Sequence, residues 1–194
     1  MKEEILDYLG QFCDKDKETR FWLNATAKGV ECKKKTVLVK LNGLCENVWF
    51  IEKGVIRAYE PEPTGKESCN WFMTENDIAT SVNSFFRGIP SKMVVETLED
   101  CVLWTVSRRE LFDEFGRRPP LAILTMMMIT KYYCDLEMWA SCLRRKKPEE
   151  IYDYLMQYHP KLIARVSEKD MASFLGVSDP TYLAIRLGRR SKRK

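Results

Sequence analysis

Between Ala25 and Val106 the chain is broken into short β-prone runs separated by turn residues, with no helix long enough for a β-α-β crossover between them. Thr36-Val-Leu-Val, Asn47-Val-Trp-Phe-Ile, Val55-Ile-Arg-Ala-Tyr, Ser68-Cys-Asn-Trp-Phe, Met93-Val-Val-Glu-Thr and Cys101-Val-Leu-Trp-Thr-Val are the predicted strands. Asn42-Gly43, Lys53-Gly54, Pro63-Thr-Gly65 and Gly88-Ile-Pro90 punctuate them, because Gly, Asn and Pro take or fix the backbone angles of tight reversals. Without crossover helices the strands pair antiparallel, as a roll or sandwich.

Helical patterning flanks this region. Ile5, Leu6, Leu9, Phe12 and Cys13 recur at helical spacing and predict a helix over 3–23. Ser107 is a plausible N-cap for a short helix from Arg108 to Phe115. Pro119-Pro120 then opens a helix with no further Gly or Pro until Pro148, reaching about 40 Å at 1.5 Å per residue. Leu121, Leu124, Met127 or Met128, Tyr132, Leu136, Trp139 and Leu143 give it more than one apolar side, as expected of a helix that packs on its own domain and on a partner. A wholly internal helix of one domain is the alternative. Arg144 to Pro148 is the expected hinge.

Apolar residues make up 45% of the chain and charged residues 31%, which fits a packed globular protein and excludes a disordered one. The N-terminus carries acids where a secretory signal needs bases, and no apolar run approaches the ~20 residues of a membrane span, so a cytoplasmic protein with no membrane partner is expected. Seven scattered cysteines (Cys13, Cys32, Cys45, Cys69, Cys101, Cys134 and Cys142) include no C-x-x-C pair, which argues for reduced core thiols over disulfides, zinc or iron-sulfur ligation. From Arg144 onward there are thirteen Lys and Arg against six Asp and Glu; before it, nineteen against twenty-two. A basic end on a slightly acidic body points to a polyanion such as nucleic acid, the alternative being a solubilising tail.

Within that basic end, Glu149 to His159 reads as an amphipathic helix closed by Pro160. Ser167 then caps a helix to Leu175, with Asp170 in its first turn and the small Ala172 where another helix can cross. Gly176 leaves that helix, Val177 fills the core, and Ser178 or Asp179 caps the next helix, with Pro180 in its first turn. Helix, short Gly-containing turn and helix form the helix-turn-helix pattern, whose second helix enters the DNA major groove. An ordinary αα-hairpin is the alternative.

The chain as a whole resembles the Crp/Fnr superfamily, particularly its short form in Bacteroidetes. The resemblance lies in Trp49-Phe-Ile-Glu-Lys-Gly-Val-Ile-Arg-Ala-Tyr, Gly65-Lys-Glu, Trp71-Phe, Glu75-Asn-Asp and Asn83-Ser-Phe-Phe-Arg-Gly-Ile-Pro-Ser. It continues through Glu96-Thr-Leu-Glu-Asp and Ser107-Arg-Arg-Glu-Leu to Arg165-Val-Ser-Glu-Lys-Asp-Met-Ala-Ser-Phe-Leu-Gly-Val. It implies an α+β protein: a cyclic-nucleotide-binding-like antiparallel β-roll (a jelly roll) over 1–118, a long dimerisation helix and hinge over 119–147, and an all-α helix-turn-helix domain over 148–194. It further implies a transcription regulator acting as a homodimer on double-stranded promoter or operator DNA, with RNA polymerase as a further partner. Leu124, Met127, Met128, Lys131 and Met138 are the expected dimer contacts, and Thr80, Ser81, Asn83, Ser84, Ser91 and Lys92 the expected effector pocket.

The chain departs from the family at both sites. Members that bind cyclic AMP use a Gly-Glu pair for the ribose and an Arg followed by a small residue for the phosphate; these positions align with Thr80, Ser81, Ser91 and Lys92. Lys92 lacks the planar fork of Arg, so cyclic AMP is not expected, while another anion, an apolar ligand or an empty pocket remain as alternatives. In the recognition helix, Pro180 and Ala184 stand where relatives carry acidic and basic base-readers, leaving Thr181, Tyr182 and Arg186 to read bases, with Ser178 also expected at the DNA. Arg189 and Arg190, with Lys192, Arg193 and Lys194, are then expected on phosphates. A dimeric sensor or interaction protein that has lost specific DNA binding is the rival reading. His159 is the only histidine, glycine-rich phosphate loops are absent, and no nucleophile-base pair is evident, so no catalytic or metal site is expected. A haem in the roll would have only Cys69 or Cys101 as ligands, both expected in the core.

Overall fold

The computed structural model describes residues 3–10, 17–145 and 147–191. Two helices, α1 (Glu3–Gly10) and α2 (Lys17–Thr26), precede β1 (Lys28–Cys32), β2 (Val37–Val39), β3 (Asn47–Lys53), β4 (Ile56–Pro61), β5 (Glu67–Met73) and β6 (Ile78–Ala79). The short helix α3 (Val82–Arg87) leads to β7 (Val94–Thr97) and β8 (Cys101–Ser107). Six helices follow: α4 (Arg108–Phe115), α5 (Pro119–Arg145), α6 (Pro148–Tyr158), α7 (Pro160–Arg165), α8 (Glu168–Leu175) and α9 (Asp179–Ser191).

The strands form two four-stranded sheets, ordered β1-β8-β3-β6 and β2-β7-β4-β5, with every pairing antiparallel. Together they make a jelly-roll-like α+β core in which Ile51, Ile56, Val95, Leu103 and Val106 are fully enclosed. The turn from β3 to β4 requires glycine. Gly54 has φ of +123°, and a Cβ there would lie 2.3 Å from the Cys101 sulfur.

The predicted helix over 3–23 is two helices, α1 and α2, and Phe12 and Cys13 lie outside the described residues. Strands β1 and β6 and helix α3 went unread. Four of the five β1 residues are exposed and β6 has only two residues, so neither carries apolar alternation. Pro160 does not end the helical region but opens α7, where its missing N–H costs nothing at the first turn.

Helix α5 buries Leu121, Leu124 and Met128 against the roll. The Tyr132 hydroxyl accepts from the Ile78 N–H at 2.5 Å and donates to the Ile78 carbonyl at 3.0 Å, pinning the helix to β6. Its other side leaves Ile123, Met126, Met127, Tyr133 and Leu136 exposed. No described helix is long and apolar enough to cross a membrane, and no group of three or more His, Cys, Asp or Glu among the described residues is placed to hold a metal.

Candidate nucleic-acid interface and sensor pocket

The C-terminal helices pack around Ile151, Leu155, Met171, Ala172, Phe174 and Ile185. Ser167 caps α8, its hydroxyl accepting from the Asp170 N–H at 3.1 Å and donating to the Asp170 carboxylate at 2.6 Å. Gly176 ends α8 in the left-handed conformation at φ +68°, and the Val177 N–H returns to the Ala172 carbonyl at 3.0 Å. Ser178 immediately precedes α9: its hydroxyl accepts from the Thr181 N–H at 3.4 Å and lies 2.8 Å from the Thr181 hydroxyl.

Ser178 and Thr181 are exposed at the start of α9, whereas Tyr182 is turned inward. Tyr182 is only 2% exposed and meets Tyr152 edge-on, ring centroids 5.9 Å apart, so it is a core residue and not a base-reader. Tyr182, Ile185 and Arg189 recur at i, i+3 and i+7, which sets the inward stripe. Outward lie Pro180, Thr181, Leu183, Ala184 and Leu187, the last 54% exposed. Arg186 is paired with Glu168, and Arg189 reaches Asp153 at 2.8 Å. The side chain of Arg190 and all of Lys192, Arg193 and Lys194 lie outside the described residues.

In the roll, the six expected pocket residues divide among buried, half-buried and exposed positions. Ser81 and Ser91 are buried and bonded hydroxyl to hydroxyl at 2.9 Å, with Ser91 donating to the Met93 carbonyl at 2.7 Å. The buried Ser84 hydroxyl accepts from the Cys45 N–H at 2.9 Å, and Thr80 donates to the Asn47 carbonyl at 3.2 Å. Asn83 and Lys92 are exposed, Asn83 accepting from Arg87 at 3.3 Å. Cys69 and Cys101 are buried thiols, as expected of core residues, and burial pushes them up to about 12 and about 11.

Residues 30–118 match the family model of the cyclic nucleotide-binding domain. The chain aligns with FixK2 from Bradyrhizobium japonicum at 17% identity and a TM-score of 0.75, covering 86% of each chain. It aligns with CLP, described as the c-di-GMP-responsive global regulator of Xanthomonas campestris, at 14% identity and a TM-score of 0.72, covering 91% of this chain and 93% of that one. The chain has the Crp/Fnr fold. CooA from Carboxydothermus hydrogenoformans aligns at 14% identity and a TM-score of 0.65, over 88% of this chain and 78% of that one. No curated protein gives a significant match.

On this Crp/Fnr scaffold, three of the five expected dimer contacts turn inward. Leu124 and Met128 belong to the roll core, and Lys131 pairs with Asp135 at 2.9 Å and Asp77 at 3.9 Å. Met127 and Met138 are exposed. The physical reason is phase: Leu121, Leu124, Met128 and Tyr132 recur at i, i+3, i+7 and i+11, one face of the helix, and that face covers the roll.

The C-terminal helices are fastened to the roll by charges that sequence spacing did not reveal. Arg57 on β4, 7% exposed, binds Asp170 at 2.5 Å, Glu67 at 2.8 Å and Glu96 at 3.1 Å, and its guanidinium lies 4.1 Å from the centre of the Tyr59 ring. Arg165 on α7 grips Glu75 through two bonds of 2.6 and 2.8 Å and reaches Glu99 at 2.5 Å. The Arg165 hydrogen bonds hold the Glu75 carboxyl down at about 2, against the opposing pull of burial. Ser173 on α8 accepts from the Cys69 N–H at 2.9 Å and donates to the Glu67 carbonyl at 2.6 Å, and Phe174 packs on Phe72 with centroids 5.2 Å apart. We refer to this set of contacts as the seam.

Proposed function

We propose that the chain is a homodimeric, DNA-binding transcription regulator of the Crp/Fnr type that responds to a small-molecule effector other than cyclic AMP. In this reading 1–118 is the sensor domain, 119–147 the dimerisation helix and hinge, and 148–194 the DNA-binding domain. The observation that carries it is the α8–Gly176–α9 unit, a helix-turn-helix joined through α5 to a cyclic-nucleotide-binding-type roll. The exposed apolar residues Ile123, Met126, Met127, Tyr133 and Leu136 supply the helix face on which a second copy packs. An effector acts by binding one setting of the seam more tightly than another, since only differential affinity shifts such an equilibrium.

The rival reading, a sensor or interaction protein that no longer reads DNA, is favoured by one observation: α9 presents Leu183, Ala184 and Leu187 outward while Arg186 and Arg189 are held in ion pairs. Titrating the protein into a labelled fragment of its own upstream region at two salt concentrations, with an unrelated fragment as competitor, separates the two. The regulator reading expects binding that survives the competitor. Equal binding to both fragments that collapses at higher salt supports the rival, because phosphate contacts alone are released by salt.

A further inference from the structure

We propose that the cavity where the roll, the long helix and the C-terminal helices meet is a binding site for a small organic cation with an aromatic or apolar body, such as a quaternary or protonated amine. This rests on the effector-responsive reading above and moves the effector site out of the roll. The cavity has a volume of about 410 Å³, within the range of small-molecule sites. All three parts of the molecule line it: Trp71 and Asp77 from the roll, Tyr132 and Trp139 from α5, and Leu155 and Phe174 from the C-terminal helices. A ligand there touches every body that must move in a regulatory transition.

The lining selects charge as well as shape. Trp139 meets Trp71 edge-on at 6.5 Å and Phe174 edge-on at 5.4 Å, so rings stand at steep angles to one another around the space. Aromatic faces attract cations through the ring quadrupole. Among the described residues, Asp77 and Asp135 share a single ammonium, that of Lys131, while Arg165 serves both Glu75 and Glu99. His159, Tyr8 and Tyr132 are the other titratable groups on the wall. Two carboxylates against one ammonium, among the described residues, favour a cation over an anion. Burial, with the neighbouring Asp135, pushes the Asp77 carboxyl up, outweighing the Thr74 N–H, Lys131 and His159, so its charged form lacks solvation that a bound cation supplies. The roll serines, by contrast, are already bonded to one another and to backbone.

The test is a titration of the full chain, without DNA, against benzyltrimethylammonium, benzyl alcohol and benzoate, followed by tryptophan emission and calorimetry. The cation is expected to saturate, benzyl alcohol to bind more weakly and benzoate not to bind. Asp135→Asn is expected to weaken the cation about tenfold, and Lys131→Gln to strengthen it, with circular dichroism confirming that both fold. Benzoate binding as tightly as the cation, no saturation by the cation, or the same affinity in wild type and both variants would each overturn the proposal. Because no DNA is present, a chain that never binds DNA still gives the expected result, and a DNA-binding regulator lacking this site gives a flat one.

Discussion

In the roll, Ser81, Ser84 and Ser91 bond to one another or to nearby backbone across at most 39 residues of sequence, and all are neutral. Across the seam, Arg57 and Asp170 bring full charges together from positions 113 residues apart, and Arg165 joins Glu75 and Glu99 from positions 90 and 66 away. Neutral hydroxyl pairs each add about 1 kcal/mol and do not depend on how the domains are set. Buried charges behave differently: paired they are tolerated, and separated they become costly. Parting the seam would therefore carry a penalty that sets a separated arrangement apart from the docked one, a distinction the neutral roll interior does not offer.

The largest expected effect comes from the seam. Arg57→Ala leaves Glu67, Glu96 and Asp170 gathered without their cation and should lower stability by about 3–5 kcal/mol in urea denaturation. A loss below about 1 kcal/mol would mean that water enters the seam freely and that the contrast with the roll is weaker than the geometry indicates. Next comes pH. Glu75 is held down at about 2 from an ordinary 4.5, so its stabilising contribution is complete above about 4.5 and fades as the pH falls toward 2. Melting temperature between pH 6 and pH 3 should fall more steeply in wild type than in Glu75→Gln; parallel curves would detach Glu75 from the stability of the seam.

Smaller effects sharpen the roll side. Ser81→Ala removes one neutral partner of Ser91, which still donates to the Met93 carbonyl, and should cost about 1 kcal/mol with no change in effector response. Loss of the effector response in Ser81→Ala, with folding intact, would return the effector site to the roll. The smallest effect is expected from Tyr182→Phe: with the ring buried against Tyr152, DNA affinity should change less than about threefold in the salt-controlled titration, since no base contact is lost. A drop of tenfold or more would put the phenol in the groove.

Much of the scaffold was legible because it is written in local patterns. Ser107 and Ser167 announce helix starts, Gly176 a helix end, and six of the eight strands among the described residues show as β-prone runs between turn residues. Strand β1 was hidden because most of Lys28–Cys32 is solvent-facing and only its pairing with β8 makes it a strand. The sites were less legible, for two physical reasons. Facing on a helix depends on phase, and a shift of one residue, or 100°, sends Tyr182 from the groove to the core. The seam depends on contacts such as Arg57 to Asp170, which no spacing rule reaches across 113 residues. At Ser91 and Lys92 the sequence offers no guanidinium, and the structure adds that the Ser91 hydroxyl is bonded to Ser81 and Met93.

Strand β5 is the last strand of its sheet, and Ser173 satisfies its outer backbone at Glu67 and Cys69. Lifting α8 away would bare an open strand edge, a ready template for pairing with another chain. The docked helix thus acts as a guard against self-association, and this limits how the molecule can move. A pivot that keeps Ser173 over the strand is safe; complete detachment invites aggregation. A motion that keeps that edge covered is restricted to small rotations of α8 over the strand.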